Sequence, residues 1–347
     1  MKKEQFGAMP DGTAVDAYTL THKNTSATIL TLGGILQKLV IDGCDIVAGY
    51  DMVSGYLDSD GYLGALIGRY ANRIRAGHFT MNGKDYQLAK NEKNRTHLHG
   101  GNIGFDKRIW NAQEKPVENG EALVLSYASP DGEENYPGTV KVQVTYTLDD
   151  DGLSIRYEAQ SDKDTPFNMT NHSYFNIDGY DSGDVMGQCL QLHADRYSTV
   201  DAQMIPVGTR VVGGTPFDFN TAKPIGRDIG ADDEQLKLGC GYDHNFFIRK
   251  DAPLSYDGKT LYEAASVTGK THKITAYTDM PCIQIYTANF MGGDIPLKGN
   301  VPKLDRHAVC LETQFEPDGP NRGEAILRAG EAYDYTTLFS VASAGKD

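Results

Sequence analysis

A chain of 347 residues with 38 glycines, 14 prolines and 39% hydrophobic residues is long enough to bury a large core and too apolar to remain disordered. Its 33 lysines and arginines against 47 aspartates and glutamates leave a net charge of −14, a field that repels nucleic-acid phosphates and anionic lipid surfaces. A neutral ligand escapes that penalty, whereas a phosphorylated one needs a local arginine or lysine cluster that the sequence does not display.

The first residues, MKKEQFGAMPDG, carry two lysines with no apolar stretch behind them. The most apolar segment, ATILTLGGILQKLVI, is interrupted by Gly33, Gly34, Gln37 and Lys38. Neither a signal peptide nor a membrane span is expected, and the chain reads as cytoplasmic. Cys44, Cys189, Cys240, Cys282 and Cys310 are odd in number, far apart and without a CxxC pair, so free thiols are expected. In that compartment the N-x-S/T matches at Asn24, Asn94, Asn168 and Asn171 are chance occurrences.

Asp-Gly and Asn-Gly pairs recur from Asp11 to Asp318, each offering a glycine that accepts a positive φ in a tight hairpin. The run FTMNGKDYQL, residues 79–88, predicts such a hairpin about Asn82 and Gly83. In VKVQVTYTL, Val140, Val142, Val144, Tyr146 and Leu148 share one face of a strand, and Lys141, Gln143, Thr145 and Thr147 share the other. A DDDG turn joins it to LSIRYEAQS, where Leu153, Ile155, Tyr157 and Ala159 alternate in the same way. No stretch holds a 3.6-residue stripe over three turns. The fold class is therefore all-β, a large antiparallel sandwich with few, short helices. Without an internal repeat, linker or charge block, residues 1–347 read as one domain. The nearest approach to a dinucleotide fingerprint, GCGYDH at 239–244, lacks its third glycine and a βαβ setting, so nicotinamide chemistry is not expected.

Four polar clusters carry candidate chemistry. In RTHLHGGNIGFDKRIW, His97 and His99 stand two apart, so on a strand both rings project from one face, as a surface pair, a metal pair or a sugar contact. An HxH metal site of the cupin kind carries a glutamate within a few residues, and here GGNIGF follows. In PFNMTNHSYFNIDG, His172 lies among Asn171, Ser173, Tyr174 and Asn176, either as a satisfied core histidine or as a proton donor in a sugar site. Asp243 in GCGYDHNFFI is either a turn residue or a ligand contact. Glu312 in AVCLETQFEPDGPNR shares a strand face with Cys310 and Gln314. Burial there raises a carboxyl pKa towards the range of a general base, unless Arg69, Arg73 or Arg75 pairs with it. No GxSxG nucleophile is present.

Taken in order, GRYANRI (68–74), HLHGG (97–101), GFDKRIW (104–110), NHSYFN (171–176), YDHNF (242–246), QIYTANF (284–290) and LETQFEPDGPN (311–321) resemble the signature of the aldose 1-epimerases. Each motif is weak alone, but seven in family order across residues 68–321 are specific. The resemblance implies a β-sandwich of the galactose-mutarotase type, with His172 as general acid, Glu312 as general base and His99 as a second active-site histidine. It implies sugar-hydroxyl contacts from Asn72, Arg73, Asp243 and Gln284, with Tyr174 and Phe290 nearby. His97 stands where many relatives have another polar residue; a sugar contact, coupling to His99 and a strand cap all remain open for it.

Anomerisation of an aldohexose such as galactose or glucose requires a proton taken from O1 and one given to O5, so one acid and one base suffice and neither a metal nor an organic cofactor is expected. Three other readings compete. One is a glycoside hydrolase using Asp243 and Glu312, a second is a hexose-phosphate 1-epimerase, and the third is a sugar-binding module without turnover.

Overall fold

A computed structural model describes residues 1–343; the last four residues of the expected domain, 344–347, lie outside the described residues. Every strand ladder among them is antiparallel. The expected short helices are two α-helices, Val53–Leu57 and Glu234–Gly239, along with isolated 3-10 turns. No helix among the described residues is long and apolar enough to cross a membrane.

The predicted hairpins form as the turn chemistry dictates. Asn82 and Gly83 adopt φ of 53° and 74°, and His78–Met81 pairs with Lys84–Gln87. Two positive φ values in a two-residue loop match the right-handed twist of the flanking strands. Val140–Asp149 pairs along its length with Gly152–Ser161, and the alternating Val140, Val142, Val144, Tyr146 and Leu148 are all buried. Thr145, on the face expected to be wet, is also buried. Lys141 and Gln143 are exposed, as expected.

That hairpin lies in a ten-stranded sheet, which Ala332–Ser343 completes by pairing with both Gly152–Ser161 and His272–Thr278. A six-stranded sheet runs in the order Tyr174–Phe175, Val309–Gln314, Cys282–Tyr286, Asp243–Ile248, Ala194–Val200, Pro206–Val211. A five-stranded sheet is formed by the first 45 residues. Val144, Ile155, Ile274 and Phe339 of the ten-stranded sheet share one buried cluster with Phe246, Ile283, Ile285, Val309 and Leu311 of the six-stranded sheet. Each such side chain contributes about 1.5–3 kcal/mol on burial, so this apolar layer holds the two sheets face to face.

Strand periodicity then decides what the opposite face of the six-stranded sheet carries. If Phe246, Ile285 and Leu311 point into the core, then Asp243 and Asn245, Gln284 and Tyr286, and Cys310 and Glu312 point away from it. Those residues are buried or half-buried, because loops of the first half of the chain cover them.

Candidate active site

Three central strands of that sheet align Asn245, Gln284 and Glu312 in one row: Asn245 is the direct partner of Gln284, and Gln284 of Glu312. Asp243 lies diagonally across from Gln284 and accepts a 2.6 Å hydrogen bond from its amide Nε2. Tyr174 is paired with Cys310, which places His172, two residues earlier, beside Glu312, two residues later. His172 Nε2 lies 3.7 Å from Glu312 Oε2. The His172 backbone is clamped to the loop before Leu66–Ile67, its N–H donating to Ala65 and its carbonyl accepting from Gly64, both at 2.9 Å.

His99 arrives from the opposite wall. Leu98 is paired with Arg73, and in the next register position the Asn72 backbone N–H donates to His99 Nδ1 at 3.1 Å. Both residues sit at positive φ, 51° for His99 and 65° for Asn72. The glycines of HLHGG have a steric reason: Gly100 is at φ 88°, and a Cβ there would sit 1.9 Å from the Gly68 carbonyl oxygen.

The expectation that His97 and His99 share a face is corrected. The strand they were assigned to is only His97–Leu98, and the left-handed backbone at His99 turns the second ring elsewhere. His97 is fully buried away from the cleft, with Nδ1 2.8 Å from the Ala89 carbonyl and Nε2 2.6 Å from the Tyr136 hydroxyl. Its burial away from the cleft rules out the sugar contact; its hydrogen bonds tether the strand His97–Leu98 to the Ala89 segment, and its proximity lowers the pKa of His99 a little further.

The cleft that receives these groups has a volume of about 1090 Å³, and Asn72, Arg73, His99, His172, Asp243 and Glu312 all line it. Gln284 is buried beneath Asp243. Tyr174 stacks on His172 with ring centroids 5.0 Å apart, while Phe290 sits on the rim, 68% exposed. Neither Arg69 nor Arg75 pairs with Glu312. Arg69 donates to Ser129 and to the Pro137 and Gly138 carbonyls, and Arg75 faces Asp201 and Asp318.

Burial dominates the electrostatics. It pushes the Glu312 carboxyl well above the usual range, with the Asp243 charge adding to the rise and Arg73 opposing it. It raises Asp243 as well, against Arg73 and the Gln284 hydrogen bond. The same desolvation lowers His172 to about 4, and His99 well below its ordinary value with help from His172 and Arg73. Among the described residues no side chain or backbone group hydrogen-bonds to His172 Nδ1, Glu312 Oε2 or Gln284 Oε1. Buried polar groups without a partner call for an explanation, and a ligand in the cleft supplies one for His172 and Glu312.

His99, His172 and Glu312 place ligand-type atoms within 4.8 Å of one another, a set that a transition metal accepts by residue type. The hydrogen bonds argue otherwise. Since the Asn72 N–H occupies the lone pair of His99 Nδ1, the ring proton of the neutral imidazole resides on Nε2, and neither nitrogen has a lone pair free for a metal.

Sequence reasoning overlooked Glu92, Thr96 and Tyr62. Glu92 holds Arg73 through two hydrogen bonds, Thr96 donates to Glu92, and Tyr62 packs edge-on to His99 at 4.7 Å. In the polar run NEKNRT a glutamate is indistinguishable from a solvated loop charge, so no local signal marks it.

Fold and site together define a class: an antiparallel β-sandwich with a buried histidine–carboxylate pair in a polar, aromatic-rimmed cleft. Residues 16–340 match the family model described as aldose 1-epimerase. The chain is 37% identical to galactose mutarotase of Rattus norvegicus over 344 residues, 96% of each chain. It is 40% identical to aldose 1-epimerase of Escherichia coli K12 over 284 residues, 80% of this chain and 79% of the other. Among solved structures, galactose 1-epimerase from Lactobacillus acidophilus NCFM superposes with a TM-score of 0.87 at 29% identity, covering 99% of this chain and 98% of that one. The chain belongs to the aldose 1-epimerase family.

Proposed function

We propose that the protein interconverts the α and β anomers of a neutral aldohexose, galactose or glucose, with Glu312 as general base and His172 as general acid. The observation that carries this reading is the pair itself, 3.7 Å apart in a polar cleft and open to a ligand. Ionised Glu312 takes the proton from O1 while protonated His172 gives its proton to O5. The C1–O5 bond breaks with its electron pair passing to O5, and an open-chain aldehyde remains. After rotation about C1–C2, O5 attacks the other carbonyl face, its proton returns to His172, and O1 recovers its proton from Glu312. One proton is shared by the pair throughout. Burial favours the state with neutral histidine and protonated glutamate, which is the state reached when the ring has opened.

His99, with its proton on Nε2, serves as a further donor in the cleft, and Asn72, Arg73 and Asp243 orient the hydroxyls, while Gln284, expected as a direct sugar contact, holds Asp243 from beneath. Carboxylates outnumber lysines and arginines along the cleft, which supports a neutral sugar over a sugar phosphate. Five free cysteines fit a reducing, cytoplasmic setting. The reading also takes the chain as one domain, because Ala332–Ser343 pairs with strands from both halves.

The test is the rate at which freshly dissolved α-D-galactose approaches anomeric equilibrium, followed by polarimetry with and without EDTA. Acceleration above the spontaneous rate, insensitive to EDTA, is expected. A folded protein that leaves the rate unchanged would sink the reading, and sugar binding without turnover would favour a binding module.

A further inference from the structure

Arg73 directs one edge of its guanidinium at Glu92, which lines the same cleft. Nε and Nη2 donate to the two carboxylate oxygens of Glu92 at 2.9 and 2.8 Å, and the Thr96 hydroxyl donates to Glu92 Oε2 at 2.5 Å. The third nitrogen, Nη1, lies 3.9 Å from Asp243 Oδ2, and Asp243 Oδ1 accepts from Gln284, the cross-strand partner of Glu312. Contacts therefore run without a break from Glu92 through Arg73, Asp243 and Gln284 to the strand position beside Glu312.

The loop that carries Glu92 is built to hold it still. Its backbone closes a turn on Thr96, with Glu92 N–H donating to the Thr96 carbonyl at 3.1 Å and Arg95 N–H donating to the Glu92 carbonyl at 2.9 Å. The neighbouring Asn91 side chain accepts from Leu98 N–H and donates to the Leu98 and Gly101 carbonyls, which ties the loop to the segment bearing His99. Arg73 and Glu92 side chains are 13% and 20% exposed, so this is a bidentate, partly buried pair and not a solvated surface contact.

We propose that Glu92 is a positioning residue for the anomerisation: it fixes the Arg73 fork so that only Nη1 faces Asp243 and the sugar, and its negative charge offsets the Arg73 field at the His172–Glu312 pair. The proposal rests on the acid–base reading above. Charged or titratable groups face this arrangement from every side: Lys93 beside Glu92, Asp243 on the sheet, His99 and Tyr62 on the loop wall, and Tyr174 and Tyr286 about His172. Burial works to raise the Glu92 carboxyl, but the hydrogen bonds and charge of Arg73 override it and hold Glu92 below its usual range, ionised at neutrality.

Glu92→Gln keeps the size of the side chain and one acceptor oxygen while removing the charge. An uncompensated Arg73 then favours ionised Glu312 and disfavours protonated His172, so the pair gains its second proton and loses its last one at lower pH. Both limbs of the kcat/KM profile for galactose are expected to move to lower pH by about half a unit or more. At neutral pH, kcat/KM is expected to fall by roughly tenfold or more as the guanidinium loses its fixed geometry. A merely structural Glu92 would lower the rate without moving the limbs, and that result, or wild-type kinetics, would overturn the proposal. Thr96→Val retains both charges and removes only one hydrogen bond, so a rise in KM of roughly fivefold with unmoved limbs is expected. Should Glu92→Gln fail to fold, Thr96→Val decides: an unaltered KM overturns the role given to Glu92. A wild-type protein that does not accelerate anomerisation sinks the underlying reading, whereas an active wild type beside unshifted Glu92→Gln limbs sinks this inference alone.

Discussion

Tyr174 and Cys310 are antiparallel partners, and His172, two residues before Tyr174 and just outside that ladder, faces Glu312 with Nε2 and Oε2 3.7 Å apart. Glu312 is thus held within a sheet ladder, while His172 sits in the short connection before Tyr174, fixed by its backbone hydrogen bonds to Ala65 and Gly64. Side chains at such positions inherit the precision of the backbone hydrogen bonds on either side.

Replacing either member removes half of a proton exchange that needs both. His172→Ala and Glu312→Ala are each expected to lower kcat about 10²–10⁴-fold, with the double variant little worse than the singles. Glu312→Gln exchanges a buried, desolvated carboxyl for a neutral amide, so its melting temperature is expected to equal or exceed that of the wild type. Polarimetry and thermal melts check both; near-wild-type turnover in either alanine variant would remove the roles assigned here.

The pair operates with one proton between its members. Burial lowers His172 from 6.5 to about 4, so uptake of a second proton, and with it loss of activity, is expected only as the pH approaches about 4. Burial moves Glu312 the other way, so loss of the last proton falls on the alkaline side of the usual glutamate range. The enzyme-dependent rate, with spontaneous mutarotation subtracted, should be flat across neutrality. An acid limb near 6.5 would show that His172 is solvated in the working enzyme.

His97 does not reach the cleft, so His97→Ala is expected to leave kcat nearly unchanged while costing about 2–4 kcal/mol of stability through a cavity and two orphaned partners, the Ala89 carbonyl and the Tyr136 hydroxyl. Its folded pKa is depressed from 6.5 to about 4, so the unfolded chain binds the proton more readily in that window. The stability contributed by neutral His97 is complete above about 6.5 and is lost as the pH falls towards about 4. Urea titrations across that range should show a shallower acid loss in the variant. A loss of activity as deep as that of His172→Ala would overturn the tether role.

Gly100→Ala forces a Cβ into the Gly68 carbonyl at a residue held at φ 88°. The left-handed backbone alone costs of order 1–3 kcal/mol, and the clash must displace either the Gly68–Arg69 segment or the His99 segment. Reduced stability with a fall in kcat is expected from denaturant titration and polarimetry together. Unchanged values for both would mean that the close approach is absent in solution.

Much of the architecture was legible because the rules that govern it are local. Asn82-Gly83 specifies its hairpin, and alternation from Val140 to Leu148 specifies a half-buried strand. His172 was visible in a polar cluster with Asn171, Ser173 and Asn176, Glu312 as a carboxylate on an alternating strand, and the ordered motifs tied both to one family. The misplaced face of His97 shows where such reasoning stops: a two-residue spacing implies a shared face only while the strand continues, and the positive φ of His99 ends it. Glu92 lies in a polar loop where composition is silent, and its bond to Arg73 joins residues 19 apart through chain folding alone.

By itself the sequence determined the turns, the alternation, the acidic field and the set of side chains able to exchange protons, since each follows from residue type and nearest neighbours. Only the tertiary structure decided which of them meet. The register between distant strands set Gln284 beside Glu312, backbone hydrogen bonds to Ala65 and Gly64 set His172 facing it, and a backbone amide from Asn72 selected the tautomer of His99. Burial by loops from the first half of the chain then displaced the proton affinities, because desolvation depends on what surrounds a group in space and not on its neighbours along the chain.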